Sequence, residues 1–94
     1  MSFKSDVKAV RVTATGSVFA GRTRLRGIIL ENDNASATQS ITLQDGNSVT
    51  QFQTSCPAGD VFAFNIPEDG ILFKDGMTTS AIGADISATV LIDK

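Results

Sequence analysis

Short runs in which apolar and polar residues alternate fill this chain, and Gly, Asn or Asp interrupts them at intervals of roughly 8–12 residues. From Lys8 to Thr15, Val10, Val12 and Ala14 fall on one face and Arg11, Thr13 and Thr15 on the other, the period-2 pattern of a half-buried strand. Gly16-Ser17 predicts a turn, Val18-Phe19-Ala20 a short strand, and Gly21 a break. Arg22 to Glu31 predicts the longest strand, with Thr23 and Leu25 inward, Arg22, Arg24 and Arg26 outward, and a bend at Gly27 before Ile28-Ile29-Leu30 enters the core.

The second half repeats this grammar. After a polar loop over Asn32 to Thr38, Ser40 to Gln44 predicts a strand with Ile41 and Leu43 inward. Asp45-Gly46-Asn47 predicts a hairpin turn, because Gly and Asn accept positive φ cheaply. Further strands are expected over Val49 to Thr54, Asp60 to Ile66 (Phe62, Phe64 and Ile66 facing one way), Ile71 to Phe73, Met77 to Ile82 and Asp85 to Ile92. Pro67 lacks a ladder donor and should end its strand, and Asp69-Gly70 and Asp75-Gly76 supply turns. No stretch has helical period. The pattern predicts an all-β fold, a single small antiparallel β-sandwich or jelly roll of about eight short strands, ahead of a closed barrel. The domain is expected over residues 9–94, with residues 1–8 a flexible amino-terminal arm.

Composition narrows the function more than the fold. The 94 residues contain no His, Trp or Tyr and a single Cys. A domain of this length buries only about 60–65% of its unfolded surface, so self-association or a partner is expected to add stability. Cys56 can form no intrachain disulfide and no multi-cysteine metal site, and beside Pro57 it reads as a small buried hydrophobe. Met1 to Asp6 has no apolar stretch after its lysine, so no signal peptide is expected, and no run approaches the ~20 apolar residues of a membrane span.

The net charge of −2 is unevenly distributed. Residues 1–26 hold six bases (Lys4, Lys8, Arg11, Arg22, Arg24, Arg26) against Asp6, a net +5, while residues 27–94 hold two bases against nine acids, a net −7. Such a chain suits a module that sits one way round on an oppositely charged neighbour, unless folding mixes the two regions.

Candidate chemistry is sparse. Without His, a Ser or Cys nucleophile lacks its usual base, and Glu68, Asp69 and Asp75 lie in turn sequences where Asp supports the turn itself, so no enzyme is expected. Glu31, Asp33 and Asn34 offer oxygen ligands without calcium-loop spacing and read as a solvated loop, so neither metal nor cofactor is expected. Arg22, Arg24 and Arg26 are the unusual constellation, three guanidinium groups about 7 Å apart along one strand face. They suit carboxylates of a partner protein, or charges that keep an edge strand from aggregating. Nucleic acid is disfavoured by the negative net charge and the lack of nearby stacking rings.

Three segments carry a family resemblance: Gly16-Ser17-Val18-Phe19-Ala20-Gly21-Arg22-Thr23-Arg24-Leu25-Arg26-Gly27-Ile28, then Ile41-Thr42-Leu43-Gln44-Asp45-Gly46, then Ile66-Pro67-Glu68-Asp69-Gly70-Ile71-Leu72-Phe73-Lys74-Asp75-Gly76. Over roughly residues 16–92 the chain resembles small virion proteins of tailed phages, particularly marine ones. Their motifs are turn-and-strand motifs, with no catalytic residues to carry over. The resemblance implies a structural role in the particle, first as a capsid decoration (cement) protein seated on the major capsid protein at capsomer junctions, as a homo-oligomer. Phe3, Lys4, Lys8, Arg22, Arg24 and Arg26 are then the expected interface. A tail fibre or adaptor subunit is the second expectation. A carbohydrate-binding module is the third, weakened by the absence of Trp and Tyr for sugar stacking.

Overall fold

The computed structural model describes residues 7–66 and 70–93. Nine strands run through them: β1 (Val7–Val12), β2 (Gly16–Phe19), β3 (Thr23–Asn32), β4 (Gln39–Asp45), β5 (Thr50–Cys56), β6 (Val61–Asn65), β7 (Ile71–Phe73), β8 (Met77–Ile82) and β9 (Ile86–Asp93). One sheet has the order β1-β9-β3-β6, with β7 continuing along the β6 side of β3, and the second has the order β2-β8-β4-β5. All pairs are antiparallel. The pairs β4·β5, β3·β6, β2·β8 and β1·β9 are those of one long hairpin folded at residues 46–49. Rolling that hairpin over adds β3·β9 and β4·β8. The β-sandwich is therefore a jelly roll, with β7 as a ninth, inserted strand.

The core lies between the sheets. Leu25, Ile28, Leu30, Ile41, Leu43, Phe73, Met77, Val90 and Ile92 are fully buried. Along β9 the alternation is complete, with Ile86, Ala88, Val90 and Ile92 buried and the residues between them half-exposed. In β3 the inward set changes parity, from Thr23 and Leu25 to Ile28, Leu30 and Asn32. A β-bulge causes the change. Leu25 lies opposite Ile92 and Gly27 opposite Leu91, so Arg26 is the extra residue in the ladder. Strand alternation keeps Ile28-Ile29-Leu30 from entering the core as a block, and the bulge sets the parity so that Ile28 and Leu30 are inward and Ile29 is exposed.

Three sequence expectations change at the chain's corners. β1 ends at Val12, leaving Thr13, Ala14 and Thr15 exposed in the bend, and Gly16-Ser17 opens β2 instead of forming a turn. Val7 and Lys8, expected in a flexible arm, are strand residues paired with Asp93 and Ile92. In the β4–β5 turn it is Ser48 that takes positive φ (64°), not Gly46 or Asn47. Gly46 is required for a different reason: a Cβ there would overlap the Asp75 carbonyl of the neighbouring β7–β8 turn.

Asp45 organises that turn. Its Oδ1 accepts the Asn47 and Val49 N–H groups (2.9 and 3.1 Å), and its Oδ2 accepts Gln51 Nε2 (3.2 Å). The Val49 and Asn47 N–H groups hold its carboxyl below the usual value. A depressed pKa in the folded state contributes stability that is complete above the ordinary Asp range and is lost as pH falls through the lowered value. Asp45→Asn is therefore expected to flatten the acid limb of stability. Urea unfolding midpoints from about pH 5 down to pH 2 should fall more steeply for the wild type than for the variant.

Candidate functional site: the arginine end

The roll gathers the connections into two opposed ends. One end holds the β1–β2, β3–β4, β5–β6 and β8–β9 connections. Its charges are Glu31, Asp33, Asp60 and Asp85, with no base among residues 13–15, 31–38, 57–60 and 83–85. The other end holds the β2–β3, β4–β5 and β7–β8 connections together with the start of β1 and the end of β9. Lys8, Arg22, Arg24, Arg26 and Lys74 collect there with Asp45, Asp75 and Asp93. Folding averages the charge imbalance only in part. Among the described residues five bases share one end with three acids, the other end holds four acids and no base, and Arg11, opposite Thr89 on the outer sheet face, lies apart from the other bases.

The three arginines are not an unbroken strand row. Arg22 is exposed in the bend before β3. Arg24 faces outward from β3, between Leu72 of β7 and Asp93 of β9 in the ladder, and is half-buried. Arg26, displaced by the bulge, reaches back so that its Nη1 donates to Asp93 Oδ2 at 3.0 Å, with the two side chains 35% and 32% exposed. Asp93 is held at both ends, since its carbonyl accepts Thr23 Oγ1 (3.3 Å). A partly exposed pair of this kind contributes below about 1 kcal/mol, so it sets the direction of Arg26 more than the stability of the fold.

Gly70 closes the site from the β7 side. Its φ is +77°, and a Cβ there would overlap the Leu25 carbonyl and stand 2.9 Å from Arg26 Cδ. The Asp-Gly signal at 69–70 thus serves close passage of the chain over the arginine strand. Lys8 is exposed on β1, separated from β3 by β9. Phe3 and Lys4 lie outside the described residues.

At the acidic end Asn34, one of the three candidate oxygen ligands, is engaged with the chain itself. Asn34 Oδ1 accepts the Ser36 and Ala37 N–H groups (2.9 and 2.7 Å), and its Nδ2 donates to Asp85 Oδ2 (2.8 Å). Among the described residues no group of His, Cys, Asp or Glu is placed to hold a metal ion. Cys56 is fully buried, with its Sγ directed at the Asp60 carbonyl (3.4 Å). Burial, and then the negative charge of Asp60, push its thiol above the usual value, as suits a packing residue instead of a nucleophile. No helix among the described residues is long and apolar enough to cross a membrane.

The alternation set Phe62 and Phe64 on one strand face, and in the fold that face turns inward, with Phe62 packed against the core. β6 is an edge strand, so these rings line the open seam between the sheets. Phe64 is 44% exposed and stacks on Phe62 (centroids 6.1 Å) and on Phe52 of β5 (6.2 Å). A signal was present in the chain, since Asp60 is the sole charged residue between Asp45 and Glu68. Comparison of the chain with protein-family models, with characterised proteins and with solved structures finds no match.

Proposed function

We propose that this protein is a non-enzymatic structural subunit of a phage virion, a decoration protein that binds the outer surface of the shell through its arginine end. The observation that carries the reading is the sorting of charge among the described residues of a small β module: five bases with three acids at one end, four acids without a base at the other. A module so polarised has a preferred orientation on an acidic lattice, and weak contacts gain by repetition over many identical positions. The phage-like turn-and-strand motifs support the same reading. They contribute directly to the arginine end through Arg22 to Gly27 and Gly70 to Gly76.

Copy number tests it. Quantitative mass spectrometry of purified particles of the phage encoding the chain, referenced to the major capsid protein, should give hundreds of copies. A dozen or so would favour a tail subunit, and absence from the particle would overturn both readings. Charge reversal at the two exposed bases gives a finer test. The double variant Lys8→Glu, Arg22→Glu should lose shell binding by about tenfold or more in low salt, with a thermal midpoint close to that of the wild type, because neither side chain is buried. Binding that is unchanged by the reversal, and equally insensitive to salt, would remove the arginine end from the contact.

A further inference from the structure

We infer that β6 is the contact strand of a symmetric dimer, in which two copies join their β1-β9-β3-β6 sheets edge to edge, antiparallel, about a two-fold axis at Ala63. The inference goes beyond the virion reading and does not depend on it.

β6 is an edge strand with the composition of a covered one. A strand with solvent on one face usually alternates apolar and polar, and free edges are usually blunted. Three edges here follow that rule. β1 carries Lys8 and Arg11, β2 has four residues and an irregular register, and β5 is Thr, Gln and Ser around Phe52. β6 does not. Val61-Phe62-Ala63-Phe64 is apolar on both faces and has no charge, proline or bulge. Phe62 and Phe64 point to the seam with Phe52, while Val61 (60% exposed) and Ala63 stand on the outer face beside Ile29 (41% exposed).

Its backbone is presented for pairing. Ile66 N–H donates to the Arg26 carbonyl (2.9 Å) and Asn32 N–H to the Asp60 carbonyl (3.0 Å). Even-numbered residues of this stretch therefore turn their backbone groups to β3, and Val61, Ala63 and Asn65 turn theirs to the free edge. Val61 N–H is capped by its own Asp60 Oδ1 (2.8 Å). The Val61 carbonyl and both groups of Ala63 and Asn65 face outward from the ladder.

The occupant is a second copy because the segment matches itself. A two-fold axis at Ala63 sets Ala63 opposite its counterpart, Phe62 opposite the other copy's Phe64, and Val61 opposite Asn65. Ala63 N–H and C=O then exchange reciprocally, and each Asn65 N–H meets a Val61 carbonyl, giving four hydrogen bonds. The stacked phenylalanines of the two copies form one ladder in the seam. Charge agrees: antiparallel side-by-side placement sets the acidic end of each copy (Glu31, Asp33, Asp60, Asp85) beside the arginine end of the other.

The size of the patch sets the affinity. A standard interface takes about 800 Å² from each partner, roughly a sixth of the 5139 Å² this chain exposes. Five strand residues with Phe52 and Ile29 supply less than that, so the dimer is weak and forms at high local concentration.

Sedimentation equilibrium from about 10 μM to 1 mM should show reversible dimerisation that weakens with added salt. Ala63→Arg, at an exposed position, should raise the dissociation constant at least tenfold with unchanged circular dichroism. Register is tested by cysteine placement. Ala63→Cys should cross-link readily with a short bis-maleimide, whereas Val61→Cys, about 13 Å along the strand from its counterpart, should not; wild type, with Cys56 buried, is the control. A chain that remains monomeric to 1 mM overturns the inference, as does equal cross-linking at 61 and 63 or a dimer indifferent to Ala63→Arg.

Discussion

Truncating Phe73 to alanine is expected to lower the thermal midpoint by about 15–30 °C and to leave the chain partly unfolded at 37 °C. Phe73 is the largest fully buried side chain of the core. It sits on a three-residue strand that pairs with β3 alone, through Thr23, Arg24 and Leu25. Phe→Ala at such a site costs about 3–5 kcal/mol, the lost transfer of the ring plus the cavity it leaves. A domain of 94 residues holds on the order of 5–10 kcal/mol in total, so this single change consumes much of it. Phe73→Leu, which keeps most of the volume, should cost less than about half as much. Equal losses for the two variants in chemical denaturation would show that the ring's fit is not what matters there.

Asn32 is the second sensitive position. Its side chain is 2% exposed, and every polar atom it carries is engaged at the acidic end. Nδ2 donates to the Cys56 carbonyl (2.9 Å) and the Ala37 carbonyl (3.1 Å), and Oδ1 accepts Asn34 N–H (2.9 Å). One amide thus ties β3 to the β3–β4 and β5–β6 connections. Asn32→Leu fills the space but leaves two carbonyls and an N–H unpaired, a loss of about 2–4 kcal/mol. Asn32→Asp sharpens the test because it places a carboxylate against those two carbonyl oxygens. Burial and the facing dipoles raise the pKa of that carboxyl in the folded state above its unfolded value. The variant's deficit should therefore be greatest at neutral pH and shrink as pH falls and the group takes up a proton it can donate. A deficit that is flat with pH would mean that the asparagine acts by shape alone.

Both positions illustrate how much of the architecture was legible in the residues. Each of the nine strands overlaps a segment that the sequence predicted as a strand, with ends displaced by a residue or more in most, because alternation reports which side of a strand is covered, and that is a local property. Ile41, Leu43 and Cys56 read as inward residues and are buried. Asn32 read as the first residue of a solvated loop, since a polar side chain gives no local sign that three backbone groups converge on it. The corners were least legible. A strand crossing between sheets, as at residues 13–16, is decided by the packing of the two layers and not by the turn preference of Gly16.

The arginine end shows the same division. The bases of the amino-terminal third and their asymmetry are evident in the chain, as are the turn residues at Gly70 and Gly76. Their even spacing predicted an unbroken row, and the bulge at Arg26 breaks it. Gly27 signalled a bend at this point of the strand, and the bulge lies beside it, between Leu25 and Gly27 in the pairing with β9; that Arg26 is the residue displaced shows only in the ladder.

By itself, then, the sequence determined the fold class, the inward face of most strands and the net charge of each segment, because these depend on neighbours within a few residues. Tertiary structure alone decided which strands lie at the edges, which loops share an end, and therefore where charge and exposed apolar surface collect. The β6 segment shows why: Val61-Phe62-Ala63-Phe64 has the composition of a covered strand, and only the order of strands in the roll leaves one of its sides open.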